Sequence, residues 1–369
     1  MNYYHRELYQ KYMVKMHGNF KEHQVMRTVT IKKKVFNVNM YVCVLTCIYL
    51  LFFFFLYIEF ILNKLKQLRY LDIMVRKDVS IILVSYKTKD LTRNCIKSIV
   101  EKTKNISYDI FVVDNNSQDG TCEMLKEEFP FVKLIENSQN IGFGAANNLA
   151  IKESDAEYVF LLNTDTLLVN NAVKILHDFL ENNRHVGVCG ANLYDENMNH
   201  IHSYGVFLTL KRQMLKTFFM FRIFFPNEMK LMFDKGYNQQ NELKSVDYIT
   251  GADMMVRKSV LDEAGLFDER FFLYFEENEL QYRIRKSGYD IFINPEAQII
   301  HLHGKSPKEN ERKVYEYRKS QYLFLRLCYG NRKNIFWIKS LMLFNFGMNI
   351  FKYPKCIAGL FKYILNDRV

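Results

Sequence analysis

From Val79 onward, short runs of apolar residues alternate with segments of helical periodicity, and this alternation constrains the fold more than any other feature. It is the pattern of an α/β domain built on a largely parallel sheet with helices against it. The spacing predicts strands over 79–84, 108–113, 132–136 and 158–162, the last fully buried, and helices over 91–102, 121–128, 144–152 and 171–182. At 369 residues the chain holds one large domain or two modest ones, and no internal repeat is visible.

The two ends read differently. Residues 1–39 are polar and basic and include Lys32, Lys33 and Lys34, whereas 40–62 is almost wholly apolar, with a block from Phe52 to Phe55 and one interruption at Glu59. About 20 apolar residues span a bilayer, so a transmembrane helix over 40–62 is expected, followed by a linker over 63–78. Lys64, Lys66, Arg69, Arg76 and Lys77 make the far flank basic as well, so charge does not orient the helix. No small-residue cleavage site follows, which argues against a secretory signal peptide. A second reading starts the functional chain at Met74 and makes 1–73 an upstream extension.

The stretch 207–237 is aromatic and basic, and 331–369 is apolar and interspersed with Lys339, Lys352, Lys355 and Lys362. The first reads as a segment that dips into a membrane interface, lines an acceptor groove or covers the core, and the second as interfacial helices or an ordinary packed terminus. A net charge of +11 suits a polyanionic partner, and its placement beside aromatic stretches favours a membrane surface over nucleic acid. The seven cysteines, at 43, 47, 95, 122, 189, 328 and 356, form no C-x-x-C pair and read as reduced thiols in the cytosol.

Ligands of an open parallel sheet bind beyond the carboxyl ends of its strands, which directs attention to Ser85-Tyr86-Lys87-Thr88, to Asp114 with the polar run through Gly120, and to Asn163-Thr164-Asp165-Thr166. Asp114 can accept hydrogen bonds from a base or ribose, although its sequence is also a good turn. Asn140 to Asn148, with Gly142 and Gly144, opens a helix whose amides can approach an anion. It lacks the dinucleotide fingerprint, and no P-loop string occurs, so NAD and ATP enzymes lose ground. Asp165 can hold a hard divalent ion that also grips two phosphates, or it caps the next element. Glu276, Glu277 and Glu279 form either a solvated acidic helix start or a general base. His301 and His303 would share a strand face and complete a metal or phosphate site, or serve structure alone.

Seven strings in order, S-I-I-L-V-S-Y-K-T, V-V-D-N-N-S-Q-D-G-T, N-I-G-F-G-A-A-N-N, L-L-N-T-D-T, T-G-A-D-M-M-V-R, F-D-E-R-F-F-L-Y-F-E-E-N-E-L and I-I-H-L-H-G-K-S, resemble the family 2 glycosyltransferases of GT-A fold. The likeness covers residues 79–330 and is strongest to the rhamnosyltransferase-like branch that builds surface polysaccharides. It implies that Tyr86 and Asp114 contact the nucleotide of a nucleotide diphosphate sugar, with Ser85, Asn116, Asn140, Gly142, Asn147 and Asn163 nearby. Asp165 would coordinate Mg2+ or Mn2+ with His301 close by, and Glu277 would be the catalytic base where the family usually has aspartate. Gly251, Ala252, Asp253 and Glu276 would lie where a glycan or lipid-linked acceptor enters. Tyr317 to Ser320, with Arg318 and Lys319, resembles a basic flap over the donor.

The reaction implied is an inverting direct displacement in cell-surface glycan synthesis. Because the donors are made in the cytoplasm, the catalytic domain is expected to face it from a membrane, through a single span or peripherally. Two rivals are a sugar-phosphate nucleotidyltransferase, whose Gly-rich activating loop is replaced here by Ser-Tyr-Lys-Thr-Lys-Asp, and a non-catalytic membrane scaffold.

Overall fold

Each of the eight expected elements forms within two residues of its expected ends. The computed structural model describes residues 76–302, 311–331, 333–348 and 354–367, and in the N-terminal part Arg27, Asn37, 39–42, 45, 46 and 48–64. In chain order the main domain runs β1 (Val79–Ser85), α1 (Lys89–Lys102), β2 (Tyr108–Asp114), α2 (Thr121–Glu128), β3 (Lys133–Glu136), α3 (Phe143–Glu153), β4 (Tyr158–Asn163), β5 (Thr166–Leu168), α4 (Ala172–Asn182) and β6 (Val186–Tyr194). It continues with β7 (Tyr204–Gly205), α5 (Leu210–Thr217), a 3-10 turn (Phe219–Phe224), α6 (Pro226–Phe233), β8 (Lys244–Ser245), β9 (Tyr248–Ile249), β10 (Asp253–Arg257) and α7 (Lys258–Ala264). Last come α8 (Glu276–Lys286), β11 (Asp290–His301), α9 (Glu311–Tyr329), α10 (Asn334–Gly347) and α11 (Pro354–Asn366).

The main sheet is ordered β3-β2-β1-β4-β10-β6-β11-β5, with β8 pairing on β11. β3, β2, β1 and β4 are mutually parallel, β10 runs against both β4 and β6, and β11 lies parallel to β6. The sheet is therefore mixed and mostly parallel, as expected. One core lies on one face, with Ile81, Leu83, Val112 and Phe160 packed under α1 and α4 residues such as Ile96, Ile99 and Leu176. The alternate residues Ile82, Val113, Val159 and Leu161 pack with Ala146, Ala150, Leu280 and Ile284 of α3 and α8 on the other face. Burial on both faces is why these strands read as unbroken apolar runs.

A third core joins α9, α10 and α11, with Tyr322, Phe324, Ile338, Met342, Phe346, Ile357, Leu360 and Ile364 buried against Phe207 and Phe271. The C-terminal helices thus turn one apolar face inward, while Phe336, Trp337 and Phe344 stay exposed.

Residues 1–75 form a separate compact unit. Within it 48–64 is helical with every side chain exposed. Among the described residues no helix is long and apolar enough to cross a membrane, so the expected span over 40–62 is not supported. The continuous described stretch would measure roughly 25 Å at 1.5 Å per residue, and it ends in the polar Asn63 and Lys64. Most of the basic segment 1–39 and of the linker 63–78 lies outside the described residues.

Candidate active site

The loops after β1 and β2 are stitched together where the two parallel strands end. Lys87 donates its amide to Ser117 Oγ at 3.0 Å, and Lys89 donates its amide to Asp119 Oδ2 at 3.1 Å. Between them lies Asp114, buried, with Oδ2 accepting from the Ser117 amide at 2.9 Å. Its Oδ1 is also buried and has no partner among the described residues. A buried carboxylate oxygen left unsatisfied is costly unless a ligand donor completes it, which suits an N–H of a base or a ribose hydroxyl. Tyr86 beside it is 45% exposed, with the Lys87 ammonium over its ring at 5.5 Å from the centre.

Several of the residues expected near the nucleotide face elsewhere. Ser85 is wholly buried, its hydroxyl held by Thr88 at 3.1 Å and Thr92 at 3.2 Å. Asn147 is buried and donates to Phe143 O at 3.0 Å within α3. Asn140 Oδ1 accepts the Gly142 amide at 3.0 Å, and the Phe143 amide goes to Phe272 O at 3.1 Å. The amides of Gly142 and Phe143 therefore bind the protein. Asn116, at φ +61°, accepts from Gln118 at 3.1 Å on the surface of the same turn.

Gly142 has the structural task of admitting the 267–272 loop. Its φ is +92°, and a Cβ there would stand 2.5 Å from Phe272 O. Gly142→Ala is expected to destabilise the domain by about 2–4 kcal/mol in denaturant melts. Gly288→Ala, at φ +94° with nothing within 4 Å of its Cβ, should lose only about 1 kcal/mol. Equal losses would show that the close approach is unimportant.

Asp165 sits in the turn between β4 and β5, and His301 ends β11, which pairs with β5 through Thr166. His301 Nε2 lies 3.2 Å from Asp165 Oδ1, with the imidazole buried and the carboxylate partly open. The Asp165 carbonyl accepts the Leu302 amide at 2.8 Å, which fixes the turn independently of the carboxylate. Among the described residues no cluster of three metal-ligating side chains occurs. An aspartate and an imidazole fit an ion that takes its other ligands from water and substrate phosphates, as Mg2+ does. Asn163 donates its amide to Ala252 O at 2.9 Å and so ties this turn to the approach to β10. His303 lies outside the described residues.

Glu277 occupies the first turn of α8 after two non-glycine residues of positive φ, Tyr274 at +69° and Phe275 at +66°. Such strain costs about 1–3 kcal/mol per residue and persists only when packing enforces it. Here Tyr317 packs on Tyr274 at 5.6 Å and on Phe275 at 5.5 Å, and Phe324 on Phe275 at 5.5 Å. Gln281 of α8 accepts from the Ile249 amide at 2.9 Å and donates to its carbonyl at 2.8 Å, which sets the 248–251 segment against Glu277. A Cβ on Gly251 would stand in ordinary van der Waals contact with Glu277 Cγ, at 3.6 Å, and Glu277 itself is half-buried.

Burial is the main cause that raises the Glu277 pKa, to about 7, against the opposing pull of the amides of Glu277 and Asn278. Glu276 is buried, with Oε2 unpartnered among the described residues. Burial first, and then the Glu277 charge, push it well above the carboxylate range. Of the pair, Glu276 is the neutral acid and Glu277 the group that ionises near neutrality. Burial, then the Glu277 charge, also lift the Tyr248 phenol to about 12, so it stays neutral.

Asp253 does not face this opening. It is fully buried between β10 and β6, with Oδ2 accepting the Ala191 amide at 2.5 Å, and burial pushes its pKa far up. Ala252 is also buried and contributes its carbonyl alone. The expected basic flap is the middle of α9, where Ser320 is buried and donates to Leu273 O at 2.9 Å. A helix interior cannot open without breaking its backbone bonds. Lys319 leans toward Glu316 at 3.9 Å and the Tyr363 ring at 5.6 Å. Sequence reasoning missed Tyr248 and Gln281, whose spacing from the carboxylates carries no local signal, and put Tyr317 in a flap where the structure packs it on Tyr274 and Phe275.

A mixed sheet with these polar groups gathered beyond its strand ends defines a glycosyltransferase domain of GT-A fold. The chain belongs to glycosyl transferase family 2, whose family model matches residues 80–265. It is 26% identical over 233 residues to the N-acetylglucosaminyl-diphospho-decaprenol L-rhamnosyltransferase of Mycobacterium tuberculosis, covering 58% of this chain and 74% of that one. It is 23% identical over 232 residues to the rhamnosyltransferase WbbL of Escherichia coli, covering 60% of this chain and 83% of the relative. Among solved structures, GalNAc-T7 with UDP, GalNAc and Mn2+ superposes with a TM-score of 0.51 at 14% identity. That likeness covers 72% of this chain but only 51% of the other, and it speaks to fold alone.

Proposed function

We propose that this glycosyltransferase moves a sugar from a nucleoside diphosphate donor, dTDP-rhamnose or a UDP-hexose, onto a glycan or lipid-linked acceptor with inversion at the anomeric carbon. The observation that carries the reading is Glu277, a half-buried carboxylate in the first turn of α8 whose pKa burial raises to about 7. Glu277 takes the proton of an acceptor hydroxyl as its oxygen bonds to the anomeric carbon, and the carbon–oxygen bond to the diphosphate breaks. Asp114 and Tyr86 hold the nucleoside, Asp165 and His301 would hold Mg2+ or Mn2+, and the ion would supply positive charge toward the departing diphosphate. The same reading sets the chain at the cytoplasmic face of a membrane, where such donors are available. It is supported by the exposed Met220, Ile223, Phe224, Trp337 and Phe344.

The pH profile tests the base. Because Glu277 must be ionised to accept a proton, kcat/KM is expected to fall about tenfold per unit of pH below 7 and to level off above it. A flat profile between pH 5 and about 8 would remove Glu277 from this role.

A further inference from the structure

Three helices gather two cations, Lys216 and Arg318, that have no carboxylate partner among the described residues, with the Arg318 guanidinium over the Tyr317 and Phe346 rings. Gln321 of α9 donates to Gln213 Oε1 of α5 at 3.1 Å in a buried contact. Arg318 of α9 reaches Gln321 Oε1 at 3.1 Å and Asn345 Oδ1 of α10 at 3.3 Å, and Asn345 donates to Thr217 Oγ1 of α5 at 3.4 Å. Lys216 precedes that threonine. Although Lys216 keeps solvent contact, crowding around its ammonium, then Arg318 and then Arg212, holds its pKa below the ordinary value.

Arg212 is neutralised by Glu228 at 2.9 Å and Asp247 at 3.5 Å. Lys216 and Arg318 have no carboxylate within ion-pair distance among the described residues. Arg318 is tied through Asn345 to Thr217, the residue after Lys216, and cations without a counter-ion attract an arriving anion.

What flanks the pair indicates which anion. On one side Tyr317, next to Arg318, packs on Phe275, the residue before Glu276 and Glu277. On the other side Phe218 packs on Phe344 at 5.2 Å and on Phe221 at 6.1 Å, and Phe344 and Phe221 are 51% and 40% exposed. Helical spacing sets Trp337, Leu341 and Phe344 along one face of α10. A ligand that matches both features carries negative charge with hydrocarbon beside it.

We propose that Lys216 and Arg318 receive the phosphate of a lipid-linked acceptor and that the surface of Phe218, Phe221 and Phe344 takes the adjoining part of its hydrocarbon chain. The proposal rests on the transferase reading above. A polyol phosphate polymer would satisfy the cations but leave the aromatic surface unused.

The test titrates the full chain, with UDP or dTDP saturating the donor site, using geranylgeranyl diphosphate, geranylgeraniol and inorganic pyrophosphate. The wild type is expected to bind the diphosphate ester at least about tenfold more tightly than the alcohol or pyrophosphate. K216Q/R318Q should lose that margin and keep its affinity for the alcohol, K216R/R318K should restore most of the margin, and F221S/F344S should weaken ester and alcohol alike. The proposal is overturned if pyrophosphate binds as tightly as the ester, if K216Q/R318Q keeps the margin, or if that variant weakens nucleotide-sugar binding to the same degree. Failure of the wild type to take up any nucleotide sugar, with the lipid margin intact, would count against the transferase reading and leave the cation pair standing.

Discussion

Glu277→Gln is expected to lower sugar transfer by about a hundred- to ten-thousand-fold while leaving donor affinity unchanged. The amide keeps the shape of the carboxylate but cannot accept a proton at the moment of attack. Because Glu277 carries a raised pKa in a buried setting, its loss should not unfold the protein, and neutralising it removes a desolvated charge. The neighbour separates this role from mere acidity. Glu276→Gln replaces a group that burial already keeps protonated, so transfer should change by less than about tenfold. Steady-state rates with the native acceptor, and donor affinity by calorimetry, distinguish the two variants. Comparable losses from both would place the chemistry elsewhere.

Asp165→Asn is expected to lower transfer at least about a hundredfold and to weaken the effect of Mg2+ or Mn2+ on donor binding. The fold should survive, since the backbone carbonyl of Asp165, which accepts from Leu302, and not its side chain, closes the turn. His301→Ala should have a smaller effect, roughly tenfold on apparent metal affinity, because it leaves the anionic ligand in place. A metal titration of donor binding reads both. If Asp165→Asn retains the wild-type metal response, the ion is held by other groups.

The first half of the domain was legible because β1, β2 and β4 are covered on both faces and separated by amphipathic helices, so periodicity and burial coincide. β6 gave no such signal. Its nine residues are all buried but include Gly187 and Gly190, where a Cβ would meet Tyr289 and Ile249 at 2.8 Å, and glycines of that kind read as loop. Asp114, Asp165, Glu277 and His301 could be singled out because each stands just beyond an apolar run or opens a helix. Ser85, Asn147 and Asp253 share the same kind of position, and their inward orientation depends on partners such as Thr92 and Ala191 that only the fold brings near. The basic stretch around Arg318 looked like a flap because charge pattern does not distinguish a loop from a helix whose other face holds Tyr322 and Phe324.

The central claim is that the loops after β1, β2 and β4 form a metal-assisted nucleotide-sugar site. It is tested most directly by measuring binding of dTDP-rhamnose and a set of UDP-hexoses with Mg2+, with Mn2+ and with EDTA, for the wild type and Asp165→Asn. The account predicts that at least one donor binds more tightly with metal than with EDTA, and that the variant with metal resembles the wild type in EDTA. Binding that ignores both the metal and the substitution, or no binding of any nucleotide sugar by the folded wild type, would contradict it.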